Sequence, residues 1–512
     1  MKKLLFAVAL PVVLSSLVSA QTPASGGVPV TNEHGQVEAA KPESSALTDK
    51  YMRPGVTAAH RQAVEAITSS FALKAMGKTE EARKKAEEVL RLLADPHDYG
   101  EFYVRGLAQQ ELGNDDSALA DFDQSLRLNP RWGIVYYSRG SAYAAKKEQA
   151  RAIADFDKAV QLDPTLAGAY LGRGNAYYEK GEFDRALADF DKAIKLDSRQ
   201  SRAYFGRANV YFHKGNYDRA IPEVNRAMQL EPKNADSYYT LRGVLYAMKR
   251  DYDPAIADFG KAIQLAPQKP QNYVTRGHAY ADKGDRDRAI ADFDKAIELD
   301  PQMVDAYQYR GQAYTEKGDR DRAIADFDKV IQLEPQRKRA YTNRGYAYFV
   351  KGDAERAIAD FDKAIQLDPR DMPAYFYRAC LRSDASDYNR ALADFDKAIE
   401  LQPGRMAGVV YFNRGIAYFK KGDLDRAIAD YDRVIKLKPS NAAPYIYRGD
   451  AYSGKGDYGR ALADYSEAIR LEPASAPAYQ NRAKAYEKLG ESAKARADRE
   501  KAAELERQGK KR

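Results

Sequence analysis

Proline recurs along this chain at Pro130, Pro164, Pro232, Pro267, Pro301, Pro335, Pro369, Pro403, Pro439 and Pro473, with Ser198 standing where one more is expected. The intervals are 34 residues, except 35 before Pro267 and 36 before Pro439. A fixed period of this length is the mark of stacked repeats, and it overrides the several globular domains that a chain of 512 residues would otherwise suggest. With a final unit at Ala476–Arg507, twelve copies stand in register. A degenerate thirteenth is expected in Ala63–Pro96, where Gly77 and Ala82 keep the turn spacing without the aromatics.

The copy Pro270–Pro301 shows why each unit folds as a helical hairpin. Tyr273, Gly277 and Tyr280 fall at i, i+4 and i+7, one stripe of a first helix. Gly284 can adopt the left-handed conformation that stops a helix, and Asp285 beside it suits the cap of the next. Ala289, Phe293, Ala296 and Ile297 form the stripe of a second helix, which Asp300-Pro301 ends. Small Gly277 and Ala289 let the two helices approach while Tyr273 and Phe293 fill the space around them. One such hairpin cannot bury its apolar face alone, but a stack can.

Tyr273, Gly277, Tyr280, Ala289, Phe293, Ala296 and Pro301 resemble the tetratricopeptide repeat at every signature position. The first of these is aromatic in all twelve copies, from Phe102 to Tyr479, and the small residue of the second helix is alanine in all twelve, from Ala118 to Ala495. The resemblance implies an all-α fold: an α-solenoid of about twelve to thirteen stacked hairpins forming a right-handed superhelix. The expected organisation is a signal peptide over 1–20, a flexible leader over 21–62, the degenerate repeat over 63–98 and eleven repeats over 99–475. A capping repeat with a basic tail follows over 476–512, where Arg499 replaces the aromatic on a face that no neighbour covers.

Two charged ladders run through the copies. Arginine precedes the first-helix small residue in every copy, from Arg105 to Arg482, and aspartate precedes the second-helix aromatic in eleven, with Glu223 in the other. Both stand near packed faces, where an unpaired charge is costly, so Arg–Asp bridges that fix the angle between hairpins are expected. One place departs from the pattern. Pro222 falls past the first turn of a helix, Val224 replaces the aromatic, and an extra residue lies before Pro267, together predicting a soft joint at the fourth and fifth hairpins.

Met1-Lys2-Lys3, the apolar run from Leu4 to about Leu14 and the small residues near Ala20 predict a secretory signal cut before Gln21, hence a periplasmic or extracellular protein. The apolar run is too short for a bilayer, so no membrane insertion is expected. The net charge of +8 falls to +6 without Lys2 and Lys3, and Lys494–Arg512 alone holds eight basic and four acidic residues. Charge gathered in a tail, in an exported chain, argues against a nucleic-acid partner. Cys380 is the only cysteine; no internal disulfide can form, and a small apolar filler on a helix is the expected role.

Chemistry is scarce. His34, His60, His97, His213 and His278 are scattered without metal-ligand spacing, so no metal and no cofactor is expected. Gly77-Lys78-Thr79 resembles the end of a phosphate loop, but Ala72 stands where that motif needs glycine. The Asp-Phe-Asp triplets, each with basic residues close by, are expected to be solvated helix faces. The resulting expectation is a non-catalytic scaffold or adaptor of the bacterial cell envelope that binds a protein or peptide. A self-assembling structural protein (homo-oligomerisation included) and an uncharacterised enzyme are the alternatives.

The resemblance also says where a partner binds: the first-helix stripe one step beyond the signature, at positions such as Val274, His278 and Ala281, lines the groove of such arrays. Its apolar members fall in two clusters, Tyr137, Leu171, Tyr178, Phe205 and Phe212, then Tyr346, Phe349, Phe376, Phe412 and Phe419. Between them it is polar, with His278, Gln308, Gln312 and Thr315. The family's clamp for a C-terminal carboxylate needs lysine at the position of Val274, and no copy has one. Apolar segments docking in two aromatic sub-sites are therefore expected.

Overall fold

In a computed structural model of the protein the described residues are 57–232, 235–401, 404 and 406–509, together with the antiparallel two-residue strands Val30–Thr31 and Val37–Glu38. The expected signal peptide, nearly all of the leader and residues 510–512 of the tail lie outside them. Among the described residues the chain forms 26 helices, paired as hairpins within two compact units, residues 1–283 and 284–512, save the last helix of the first and the first of the second.

The first unit stacks six hairpins. They are Ala58–Ala75 with Thr79–Leu92, Tyr99–Glu111 with Asp115–Leu128, Gly133–Ala145 with Gln149–Leu162, Ala167–Glu179 with Phe183–Leu196, Ser201–His213 with Tyr217–Leu230, and Ala235–Met248 with Tyr252–Leu265, after which comes the helix Pro270–Lys283. The second unit opens with the helix Arg286–Leu299. It continues with Val304–Lys317 and Arg320–Leu333, Lys338–Lys351 and Ala354–Leu367, Met372–Asp384 and Tyr388–Leu401, Ala407–Lys421 and Leu424–Leu437, Ala442–Gly454 and Tyr458–Leu471, and Ala476–Lys488 and Ser492–Gly509. Within each unit a helix packs on the next, and most successive first helices also touch, so every hairpin is buried only by its neighbours. The first helix begins at Ala58, earlier than the sequence boundary at 63, because Thr57 caps it by accepting the His60 N–H at 3.0 Å.

The local rules repeat with the sequence. Gly318 ends its helix at φ 84°, and the Asp319 N–H then reaches back to the Tyr314 carbonyl at 2.9 Å. Lys147, Arg250 and Ser386 take the same positive φ in the copies that lack the glycine. Asp319, Asp353, Asp423 and Asp457 cap the following helices by accepting the N–H three residues on. The first-helix glycine is a packing requirement: a Cβ on Gly345 would lie 2.8 Å from Phe361 Cε1, and one on Gly311 the same distance from Phe327. Those phenylalanines and the second-helix alanines are the fully buried core.

The charged ladders do pair. Arg139 donates from Nε and Nη2 to both carboxylate oxygens of Asp155 at 2.8 and 2.7 Å, and from Nη1 to Asp123 of the preceding hairpin at 2.6 Å. Arg173, Arg310, Arg344, Arg378, Arg414 and Arg448 repeat the arrangement. This corrects the expectation for the Asp-Phe-Asp triplets. Their first aspartate is buried beneath its own arginine, and their second receives the arginine of the next hairpin, so the triplet is a clamp between repeats and not a solvated face. Each of these arginines also lies over the first-helix signature aromatic, as Arg139 does 5.5 Å from the Tyr136 ring centroid. The hydroxyls of Tyr136, Tyr273 and Tyr445 donate to the carbonyls of Pro130, Pro267 and Pro439, tying the period's proline to the next helix. These tyrosines are thus half-buried and not packed inward as the stripe suggests.

Pro222 does not interrupt its helix, which runs unbroken from Tyr217 to Leu230, with Pro222 exposed and Val224 fully buried. The departure there is electrostatic. Arg207 keeps Asp191 but reaches Glu223 through Nη2 alone, and Arg242 meets Asn225 where other copies offer a carboxylate.

Candidate functional site

The stripe one step past the signature is built on the first helices. Its first register position turns toward the second-helix aromatic of the same hairpin. Tyr137 lies 6.1 Å from Phe156, Phe376 6.2 Å from Phe395, and Phe412 6.0 Å from Tyr431, centroid to centroid. Val274 and Gln308, at the same register in other copies, are fully buried. The register is therefore floor at Val274 and Gln308, while Tyr137, Leu171, Phe205 and Phe412 keep part of their surface in solvent.

In the first unit Tyr137, Leu171, Tyr178 and Phe205 are half-buried, whereas Phe212 is buried. Leu171 and Tyr178 pack on the cluster of Ala186, Phe190 and Val210. Tyr178 meets His213 edge-on at 5.4 Å, and Phe212 approaches the same imidazole at 5.4 Å. Burial raises the Tyr178 hydroxyl, whose oxygen is buried without a partner, and lowers His213. Phe205 packs 5.0 Å from Tyr238 of the next hairpin. These residues thus join three neighbouring hairpins, with Tyr137 on the one before.

In the second unit Tyr346, Phe349, Phe412 and Phe419 are half-buried and Phe376 is buried. Tyr346 and Phe349 stack 6.3 Å apart, and both face Tyr377 of the next hairpin, at 4.9 and 5.4 Å. Phe412 meets Tyr447 of the hairpin after it at 5.1 Å. Tyr377 and Tyr447 were not singled out from the sequence. They sit one residue past the chosen stripe, and reading two adjacent stripes across neighbouring copies would have found them. The arrangement offers half-exposed aromatic faces and can hold apolar groups by contact and ring edges. Among the described residues no helix is long and apolar enough to cross a membrane.

Comparison with known proteins agrees with this architecture. Family models described as "Tetratricopeptide repeat" match residues 171–237, 310–371, 409–441, 236–269 and 476–508, and one described as "TPR repeat" matches 140–181, 277–318 and 449–490; together they cover more than half of the chain. No match was found among curated proteins. Solved structures it resembles include the APC/C hetero-tetramer Cut9-Hcn1, at 15% identity and TM-score 0.42, covering 86% of this chain and 98% of that one. A tetratricopeptide repeat protein from Parabacteroides merdae ATCC 43184 is 24% identical with TM-score 0.37, over 49% of this chain and 99% of that one. YrrB, a TPR protein with an unusual peptide-binding site, is 26% identical with TM-score 0.32, over 36% of this chain and 95% of that one. With the hairpin geometry and the family-model matches in place, the chain belongs to the tetratricopeptide repeat family and is a scaffold for protein–protein interaction.

Proposed function

We propose that this protein is a non-catalytic adaptor of the bacterial cell envelope that holds apolar segments of a partner polypeptide against the aromatic faces of its first helices. The carrying observation is the cluster of Tyr346, Phe349 and Tyr377, three half-buried rings from two neighbouring hairpins within 6.3 Å of one another. Rings that bridge a repeat boundary, keep part of their faces in solvent and are held by a rigid stack are suited to act as anchors without reorganisation. The second-unit residues Phe412 and Phe419 and the first-unit residues Tyr137, Leu171, Tyr178 and Phe205 extend the same chemistry, with Phe212 and Phe376 as their support. The envelope assignment rests on the signal-like start of the sequence alone.

The test uses the full-length mature chain and a library of extended peptides varying in aromatic and aliphatic content. Tyr346→Ala with Phe349→Ala should weaken the best apolar binders by about tenfold or more while the helical circular dichroism is kept. Retention of full binding by this pair and by Phe205→Ala with Phe412→Ala would remove the groove from consideration. Fractionation that finds unprocessed protein in the cytoplasm would remove the envelope.

A further inference from the structure

The first hairpin and the one after it meet around a polar cluster that no part of the repeat pattern requires. His60, in the first turn of helix Ala58–Ala75, is buried at 4% exposure, and neither imidazole nitrogen has a hydrogen-bond partner. Beside it stand Asp98 and Glu101, from the start of helix Tyr99–Glu111, and one ligand-type atom from each of the three residues lies within 4.8 Å of the other two. Gly100 makes the approach possible, since a Cβ there would lie 2.7 Å from His60 Cε1.

We propose that His60, Asp98 and Glu101 bind one divalent transition-metal ion of the zinc class, which clips the first hairpin to the second. An imidazole with an open nitrogen and two carboxylates is a ligand set that zinc accepts, with water completing four-coordination. Metal bonds of about 2.0–2.2 Å put ligand atoms roughly 3.3 Å apart, so the cluster closes by small side-chain rotations. The carboxylates are already oriented. Glu101 is 5% exposed and accepts from Thr57 Oγ1 at 3.1 Å and from the His97 N–H at 2.8 Å, bonds that hold a ligand without neutralising it. Asp98 uses Oδ1 to cap its helix, accepting from the Gly100 and Glu101 N–H groups at 2.7 and 2.9 Å. A divalent cation would balance Glu101, whose burial makes uncompensated charge costly, while Asp98 is exposed and leaves the ion a path in from solvent.

The location gives the ion a purpose. Every clamp described above ties an arginine to an acidic or amide side chain of the preceding hairpin. Arg105 meets instead the Leu93 and Ala94 carbonyls, because the degenerate hairpin supplies no carboxylate there. The metal clip supplies the missing tie at the first boundary.

The experiment titrates the chelator-treated, full-length mature chain with zinc against a chromogenic competitor, and with cobalt for its visible bands. Hydrogen exchange is followed over residues 58–92. One zinc per chain, tetrahedral-type cobalt bands and slower exchange over 58–92 are expected. His60→Gln should abolish saturable binding. Asp98→Asn, which keeps the cap, should weaken it at least tenfold in a chain that folds as before, and His97→Gln, with its side chain in solvent, should leave it unchanged. Absence of saturable zinc binding, binding of equal strength in Asp98→Asn and His60→Gln, or loss in His97→Gln alone would overturn the site. Unchanged exchange on zinc binding would overturn the clip.

Discussion

Arg344 grips Asp360 of its own hairpin through Nε and Nη2, at 2.9 and 2.6 Å, and reaches Asp328 of the preceding hairpin through Nη1 at 2.6 Å. One planar guanidinium thus closes a hairpin and sets its angle to its neighbour. Burial is the largest influence on the Asp360 carboxyl and pushes it above the ordinary carboxylate range, so the fork of Arg344 is what keeps the charge tolerable there.

Arg344→Ala leaves the buried Asp360 carboxylate alone, and Asp360→Asn leaves the largely buried guanidinium with Asp328 only. Arg344→Ala and Asp360→Asn should each destabilise by about 3 kcal/mol, and Arg344→Lys should recover only part, because an ammonium cannot make the two-pronged contact. Asp328→Asn should lose about 1 kcal/mol or less, since that carboxylate is half exposed. Urea unfolding, with hydrogen exchange to locate the loss in the hairpins flanking residue 344, checks the order. Equal effects at Asp360 and Asp328 would mean that the clamp acts only as a surface pair.

Tyr431 and Tyr465 occupy the position that is phenylalanine in most copies, and the two hydroxyls differ in their surroundings. Tyr465 donates to Asp450 Oδ1 at 2.7 Å, whereas the Tyr431 oxygen is buried without a partner. Tyr431→Phe should therefore be neutral or stabilising by up to about 1 kcal/mol. Tyr465→Phe should destabilise by about 1–2 kcal/mol, because it strips a donor from the largely buried Asp450, whose carboxyl burial already raises. Thermal unfolding of the two variants side by side separates them by sign.

Much of this was legible in the sequence because the repeat states each rule many times over. The turn glycines, the second-helix alanines and the phenylalanines behind Gly311 and Gly345 follow from periodicity and size alone. The bidentate pairing of Arg139 with Asp155 followed from the cost of leaving charges near a packed face. What the sequence hid depends on distance between copies. The second aspartate of each triplet looks solvated until the next hairpin brings its arginine, and Tyr377 joins Tyr346 only across a repeat boundary. His60 and Glu101, 41 positions apart, share no spacing rule because a helix packing, not a motif, brings them together.

Cys380 behaves as the apolar filler that its lone position suggested. It packs against the cluster around Phe376 and Phe395, and burial pushes its thiol up to about 12. An ordinary thiol near 8.5 is about one-quarter thiolate at pH 8, so this shift lowers the reactive fraction by about a thousandfold. Iodoacetamide should label native protein at pH 8 at least a hundredfold more slowly than protein in urea, as read by mass spectrometry. Equal rates would show a thiol available to a partner chain.

The join between hairpins Ser201–Leu230 and Ala235–Leu265 should be softer than the one before it, for a reason that is electrostatic more than conformational. The proline at 222 is accommodated, but Arg207 has one bond to Glu223 where its counterparts have two to an aspartate, and Arg242 has neutral Asn225 in place of a carboxylate. A two-pronged guanidinium–carboxylate pair adds energy and fixes geometry that a single bond does not, and neutral Asn225 offers Arg242 no opposite charge, so two successive clamps are each diminished. In a stack held only by nearest neighbours, such a boundary opens before its flanks. Amide exchange over Tyr217–Leu230 should be faster than over Phe183–Leu196 in the same chain. Asn225→Asp, restoring the carboxylate, should slow it, and Pro222→Ala should slow it less. If Asn225→Asp leaves exchange unchanged while Pro222→Ala restores protection, the softness lies in the helix backbone and not in the clamp.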